Sequence, residues 1–285
     1  MNVIDAHHHL WSAPGRVGWL AEPGHEVLRR PYSMADLHPL LQCEKVDGTV
    51  LVECGSGRHD ELAVMLTVAA EYPEVLGVVG WVDTATGNVT TQIERAFAHP
   101  LADRWLMGLR IQAQSEPADH LEQPEAQEAA AALANRGRVL EIVARPQHLS
   151  GAAALARNQS RCRIVLDHAG KPDIAGDTDE TFAQWRTVMA DLASLPNIYV
   201  KLSGLVTEAD WTSWTPDTLR PYVKVLLELF GARRLMVGSD WPACLLAADY
   251  HAVMEAARDC LDNISEEERH CLFGRTAIAV YGLQP

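Results

Sequence analysis

Two segments at opposite ends of the chain carry residues able to bind a metal or move a proton. Near the start, Val3-Ile4-Asp5-Ala6 runs into His7-His8-His9, and near the end Leu235-Met236-Val237 runs into Gly238-Ser239-Asp240. In an extended His-x-His both outer imidazoles point the same way, because side chains alternate along a strand. Neutral imidazole suits Zn²⁺ and similar divalent ions. A carboxylate beside the pair could complete a ligand set or act as a base toward water. A closed parallel barrel unites the C-terminal ends of its first and last strands, and so would place His7, His9 and Asp240 in one site.

The elements that must position these residues alternate regularly. Eight short apolar runs read as strands: Asn2–Ala6, Gly48–Glu53, Leu76–Val82, Leu106–Ile111, Val139–Val143, Arg163–Asp167, Ile198–Leu202 and Leu235–Gly238. They are mostly uninterrupted Val, Ile and Leu, which suits strands buried on both faces of a parallel sheet. Amphipathic helices are predicted between them, over Asp60–Glu71, Val89–Ala98, Pro124–Asn135, His148–Asn158, Thr181–Ala193, Pro216–Phe230 and Ala247–Leu261. Ser33 and Asp36 form a capping-box pattern before the first helix, and Ser265 with Glu268 starts one further C-terminal helix. Eight strand–helix repeats in 285 residues predict a single (β/α)8 barrel domain over residues 1–285. An open doubly wound sheet would need a Gly-rich phosphate turn, and the chain has neither GxGxxG nor GxxxxGK[ST].

The predicted C-terminal strand ends collect Glu53, Arg110, Arg145, His148, Asp167, His168, Lys171, Lys201, Ser203, Ser239 and Asp240 around the His7–His9 pair. Cationic and histidine side chains dominate this set although the chain carries a net charge of −14. That is the local positive pocket an anionic substrate would require. The same acidic balance argues against nucleic acid or an anionic membrane as partner. No apolar run approaches the roughly 18 residues of a membrane span, and no basic-then-apolar leader precedes the first strand. Six scattered cysteines without a CxxC read as free thiols of a reducing compartment, so a cytoplasmic protein is expected.

Taken together, Asp5-Ala6-His7-His8-His9-Leu10-Trp11, Gly77-Val78-Val79-Gly80-Trp81-Val82-Asp83, Leu166-Asp167-His168-Ala169-Gly170-Lys171-Pro172, Lys201-Leu202-Ser203-Gly204 and Gly238-Ser239-Asp240-Trp241-Pro242 resemble the amidohydrolase superfamily, in its branch of sugar-acid lactonases. The resemblance implies a distorted TIM barrel and hydrolysis of a cyclic ester. It implies catalytic roles for Asp240, His168, His7 and His9, the same four residues being the candidate metal ligands. Substrate contacts are expected from Arg110, Lys171, Lys201, Glu53, Trp11 and Trp241. Relatives often carry Gln where this chain has His8 and Glu53, and His where it has Ile111, so the exact substrate does not transfer.

The residues suit either one divalent ion, Zn²⁺ or Mn²⁺, or catalysis without metal. The expected reaction is lactone hydrolysis by a water that Asp240 activates, in the catabolism of a sugar. The expected partner is a small anionic or polyhydroxylated molecule, taken by a monomer or homodimer. A related enzyme acting on an aromatic-derived dicarboxylic acid, as hydrolase or decarboxylase, is the alternative, favoured if more cations converge on two carboxylate positions. His8 and His148 carry no assigned role at this point.

Overall fold

The computed structural model describes residues 2–285. Eight strands form one wholly parallel sheet in sequential order. They are β1 (Ile4–His8), β2 (Gly48–Val52), β3 (Val75–Trp81), β4 (Leu106–Gln112), β5 (Val139–Val143), β6 (Arg163–Leu166), β7 (Ile198–Leu202) and β8 (Leu235–Val237). The sheet closes on itself just beyond β8, where Asp240 N–H donates to His7 O (2.9 Å) and His9 N–H donates to Trp241 O (2.7 Å). A buried carboxylate reinforces the seam. Asp5 accepts from Ser239 N–H (2.8 Å), Ser239 Oγ (2.6 Å), Tyr250 Oη (3.1 Å) and His7 N–H (3.1 Å). The result is a (β/α)8 barrel.

Strands and helices fall within a few residues of the sequence reading, and the differences have local causes. The helix expected from Ala247 begins at Tyr250, because the Asp249 side chain caps it by accepting from Ala252 N–H (2.8 Å). The helix expected from Thr181 begins at Asp179, because Thr178 caps it. The loop after β1 holds three short 3₁₀ turns between residues 14 and 28. The C-terminal helix runs from Glu266 to Tyr281 through a π turn at Cys271–Arg275. Its last turns place Ala277, Val280 and Tyr281 against Ile4, Val50, Val79 and Val139, plugging the N-terminal end of the barrel. Among the described residues no helix is long and apolar enough to cross a membrane.

The register of β1 against β2 slips between Asp5 and His8. Ile4 and Ala6 join the barrel's inner core. After the slip His7 and His9 meet ring to ring, with Nε2 atoms 3.1 Å apart, while His8 turns to the Thr49 hydroxyl (3.0 Å). A bulge of this kind re-aims side chains at the end of a strand.

Candidate active site

Four side chains converge above the inner core. Asp240 Oδ1 lies 3.4 Å from His9 Nε2, 3.6 Å from His7 Nε2 and 3.9 Å from His168 Nε2. It makes no hydrogen bond although it is buried. The backbone that presents this group is itself unusual. Asp240, His168, Ala169 and Lys171 all take left-handed conformations, with φ of 58°, 54°, 53° and 50°. Each costs energy in a residue with a Cβ, and such strain concentrates where a site is held in place by its surroundings. Gly204 is required by the same crowding, since a Cβ there would sit 2.6 Å from His168 Nδ1.

Hydrogen bonds at the far ring nitrogens orient the imidazoles. His9 Nδ1–H donates to Val52 O (2.9 Å), which leaves its Nε2 as an acceptor facing the site. His168 Nδ1 pairs with Ser203 Oγ (2.9 Å). His7 Nδ1 meets Lys201 Nζ at 3.0 Å, with Asp167 Oδ1 at 3.5 Å. Burial pushes His168 down to about 4 and His8 down to about 3. Burial and then the Lys201 charge drive His7 well below the usual histidine range. His7 and His168 are therefore neutral at pH 7, the form that can ligate a metal. Burial alone would raise Asp240, but His168, His9 and His7 outweigh it and hold the carboxyl below the usual carboxylate range.

Beneath this layer lies a closed ionic network. Lys201 Nζ, with no exposed surface, donates to Glu141 Oε1 (2.8 Å) and lies 3.3 Å from Asp167 Oδ1. Tyr281 Oη also donates to Glu141 Oε1. Burial, and then repulsion from Asp167, raise Glu141 to about 7 against the opposing pull of Lys201. Arg110 reaches Glu53 Oε1 (2.6 Å), Glu53 O (2.6 Å) and Asp167 Oδ2 (3.0 Å).

A cavity of about 540 Å³ opens above the four residues and is lined by His9, His168, Asp240, Arg110, Lys171 and Arg145, among others. Lys171 there is paired with Glu208 (2.5 Å). The structure places four of the expected substrate contacts elsewhere. Lys201 is sealed inside the barrel by its carboxylates. Glu53 is buried as the partner of Arg110 and of Gln112 Nε2 (2.6 Å). Trp11 is held under the loop after β1, its Nε1–H donating to Arg30 O (2.9 Å) and Leu28 O (3.2 Å). Trp241 packs edge-on against Tyr32 with ring centroids 5.3 Å apart. None of these four lines the cavity. Trp19, Trp81 and Trp211 do, with Gln112, Gln114 and Glu116. The sequence reading missed Glu141, whose signal was a lone charge in the apolar strand Val139–Val143.

Residues 4–283 match the sequence family described as amidohydrolase. The chain belongs to the amidohydrolase family. It is 34% identical over 295 residues to an L-fucono-1,5-lactonase of Burkholderia multivorans, covering 98% of this chain and 96% of that one. It is 35% identical over 285 residues to an L-fucono-1,5-lactonase of Burkholderia ambifaria, covering 98% and 94%. A solved amidohydrolase from Burkholderia multivorans with bound Zn superposes with a TM-score of 0.92, at 32% identity and full coverage of both chains.

Proposed function

We propose that this amidohydrolase hydrolyses the lactone ring of a small sugar acid, in the catabolism of a sugar. The observation that carries the reading is Asp240, an ionised carboxylate with an unbonded oxygen among three imidazoles on a polar cavity floor. Two relatives named as L-fucono-1,5-lactonases, similar over nearly the whole chain, support it.

The donor set fits one divalent ion. His7, His9 and Asp240 offer ligand atoms within 4.8 Å of one another, and His7, Asp167 and His168 do the same. Asp240 Oδ1 and Asp167 Oδ1 are both buried without a hydrogen-bond partner. Among the described residues Asp240 is a buried carboxylate with no Arg or Lys partner, whereas Glu53, Glu141 and Asp167 pair with Arg110 and Lys201. A buried carboxylate without such a partner favours a bound cation. His7, His9 and Asp240 would hold Zn²⁺ or Mn²⁺, with His168 beside them. Such an ion, when bound, polarises a carbonyl and its attacking water.

The remaining chemistry belongs to side chains of the chain. Asp240 takes a proton from the water as its oxygen bonds to the lactone carbonyl carbon. The ring C–O bond then breaks, and Asp240 returns the proton to the departing ring oxygen. His168, fixed through Ser203, presents Nε2 toward the reacting carbonyl. A dicarboxylate substrate is the poorer match, because it would require at least two unpaired cations. Of the lysines and arginines lining the cavity, Arg110 and Lys171 are already paired with carboxylates. The test is a panel of aldono-1,4- and aldono-1,5-lactones, with acid release followed by an indicator dye. Turnover of at least one is expected, and turnover of none would contradict the reading.

A further inference from the structure

The charged lining of the cavity is unevenly partnered. Arg145, exposed at the end of β5, forms no ion pair among the described residues, unlike Arg110 and Lys171. Glu116, from the loop after β4, and Glu22, from the loop after β1, line the same cavity and also lack a cationic partner among the described residues.

His148 accounts for how Arg145 and Glu116 are held. It has no exposed surface. Its Nδ1 accepts from Arg145 N–H at 3.2 Å, so its Nε2 carries the proton and donates to Glu116 O at 2.9 Å. One imidazole thus ties two cavity loops together. Pro146 follows Arg145 at once and opens a short 3₁₀ turn, which further fixes the backbone.

We propose that Arg145 and Glu116, held by His148, form the hydroxyl-recognising end of the cavity and select neutral polyhydroxylated lactones over lactones that carry a carboxylate. The inference rests on the lactonase reading and names its specificity. A sugar hydroxyl both donates and accepts. Arg145 supplies donors in a fixed fork, Glu116 supplies acceptors, and Gln114, which lines the same cavity, supplies both. An anionic substrate would gain Arg145 but meet Glu116 and Glu22, a repulsive element that discriminates against it. The same two carboxylates disfavour retention of the carboxylate product. His148 acts as a positioning residue.

The experiment compares an aldono-1,5-lactone, δ-valerolactone (the same ring without hydroxyls) and a lactone bearing a free carboxylate. Arg145→Ala is expected to lower the kcat/KM ratio of aldonolactone over δ-valerolactone by roughly 10- to 100-fold, the loss of charge-assisted hydrogen bonds. On the aldonolactone alone the loss falls on KM, with kcat within about 3-fold of wild type. His148→Leu is expected to lower the same ratio, and His148→Gln, which keeps one acceptor and one donor, to restore part of it. Glu116→Gln is expected to raise kcat/KM on the carboxylate-bearing lactone several-fold. An unchanged ratio and KM in Arg145→Ala, or a wild type that prefers the anionic lactone, would overturn the proposal. A wild type that turns over none of the three contradicts the lactonase reading itself and removes this inference with it.

Discussion

Replacing Lys201 by Met is the sharpest test of the buried network under the site. The two side chains are of similar length and volume, so the change removes a charge while roughly keeping the packing. It deletes the donor to Glu141 Oε1 (2.8 Å) and to His7 Nδ1 (3.0 Å) and the charge 3.3 Å from Asp167 Oδ1. Breaking a buried pair by removing one partner costs about 3–5 kcal/mol, because the other charge stays buried and uncompensated. The loss depends on pH through Glu141, which already stands at about 7 with Lys201 opposing its burial. Without Lys201 its pKa rises further. A carboxyl raised in the folded state adds stability that is fully present below its unfolded pKa and is lost as pH rises through the folded value. Lys201→Met is therefore expected to lose about 3–5 kcal/mol at pH 8 and about 1–2 kcal/mol less at pH 6. Adding Glu141→Gln, which takes away the stranded charge, is expected to recover about 1–2 kcal/mol at pH 8. Equilibrium urea unfolding at the two pH values measures all of this. A Lys201→Met protein within about 1 kcal/mol of wild type at pH 8 would refute the argument that Lys201 is a buried structural cation.

Acid should destabilise the metal-free protein. His168 at about 4 and His8 at about 3 stay neutral when folded but take up a proton below about 6.5 when unfolded, so stability falls as pH drops from 6.5 toward 4. Each histidine contributes a slope of about 1.4 kcal/mol per pH unit, and Glu141, raised to about 7, opposes it with one equivalent of the same size. Burial of His7 adds to the loss, whereas Asp5 and Glu61, both raised by burial, oppose it; a net fall in stability is expected from urea titrations between pH 6 and 5, and a gain would contradict neutral His168 and His8. Calorimetric titration of the metal-free protein with Zn²⁺ should give one equivalent, and His9→Asn should weaken it at least about 10-fold, as expected on losing a ligand or its orientation; stoichiometric binding unchanged by the substitution would place the ion elsewhere. Trp11→Phe, which strands Leu28 O and Arg30 O, should cost about 1–3 kcal/mol in unfolding experiments while leaving kcat near wild type, and a catalytic loss without a stability loss would return Trp11 to the substrate.

The barrel was legible because strands buried on both faces must be almost wholly apolar, and β5 and β7 lie on Val139–Val143 and Ile198–Leu202 as the sequence predicts. The convergence of His7, His9, His168 and Asp240 followed from the same topology, since each stands at or just past the C-terminal end of a strand. The depth of side chains was less legible. Lys201, Arg110 and Glu141 are lone charges in apolar strands, and strand position alone does not say whether such a charge points up into a cavity or is paired within the barrel. The pairing of Lys201 with Glu141 spans 60 residues of sequence and exists only once β5 and β7 share an interior. Trp11 and Trp241 lie outside the lining of the cavity for a related reason. Their ring faces are used by Trp19 and Tyr32 in the folded loop after β1, a packing that has no signature in the sequence.

The most direct measurement on the central claim is the turnover of the best aldonolactone by wild type and by Asp240→Asn, with the folding of both checked by circular dichroism and urea midpoint. Asp240→Asn is expected to lower kcat by about 10²–10⁴-fold, the range for loss of a positioned acid–base group, in a protein that still folds. A folded Asp240→Asn protein that retains wild-type turnover would contradict it.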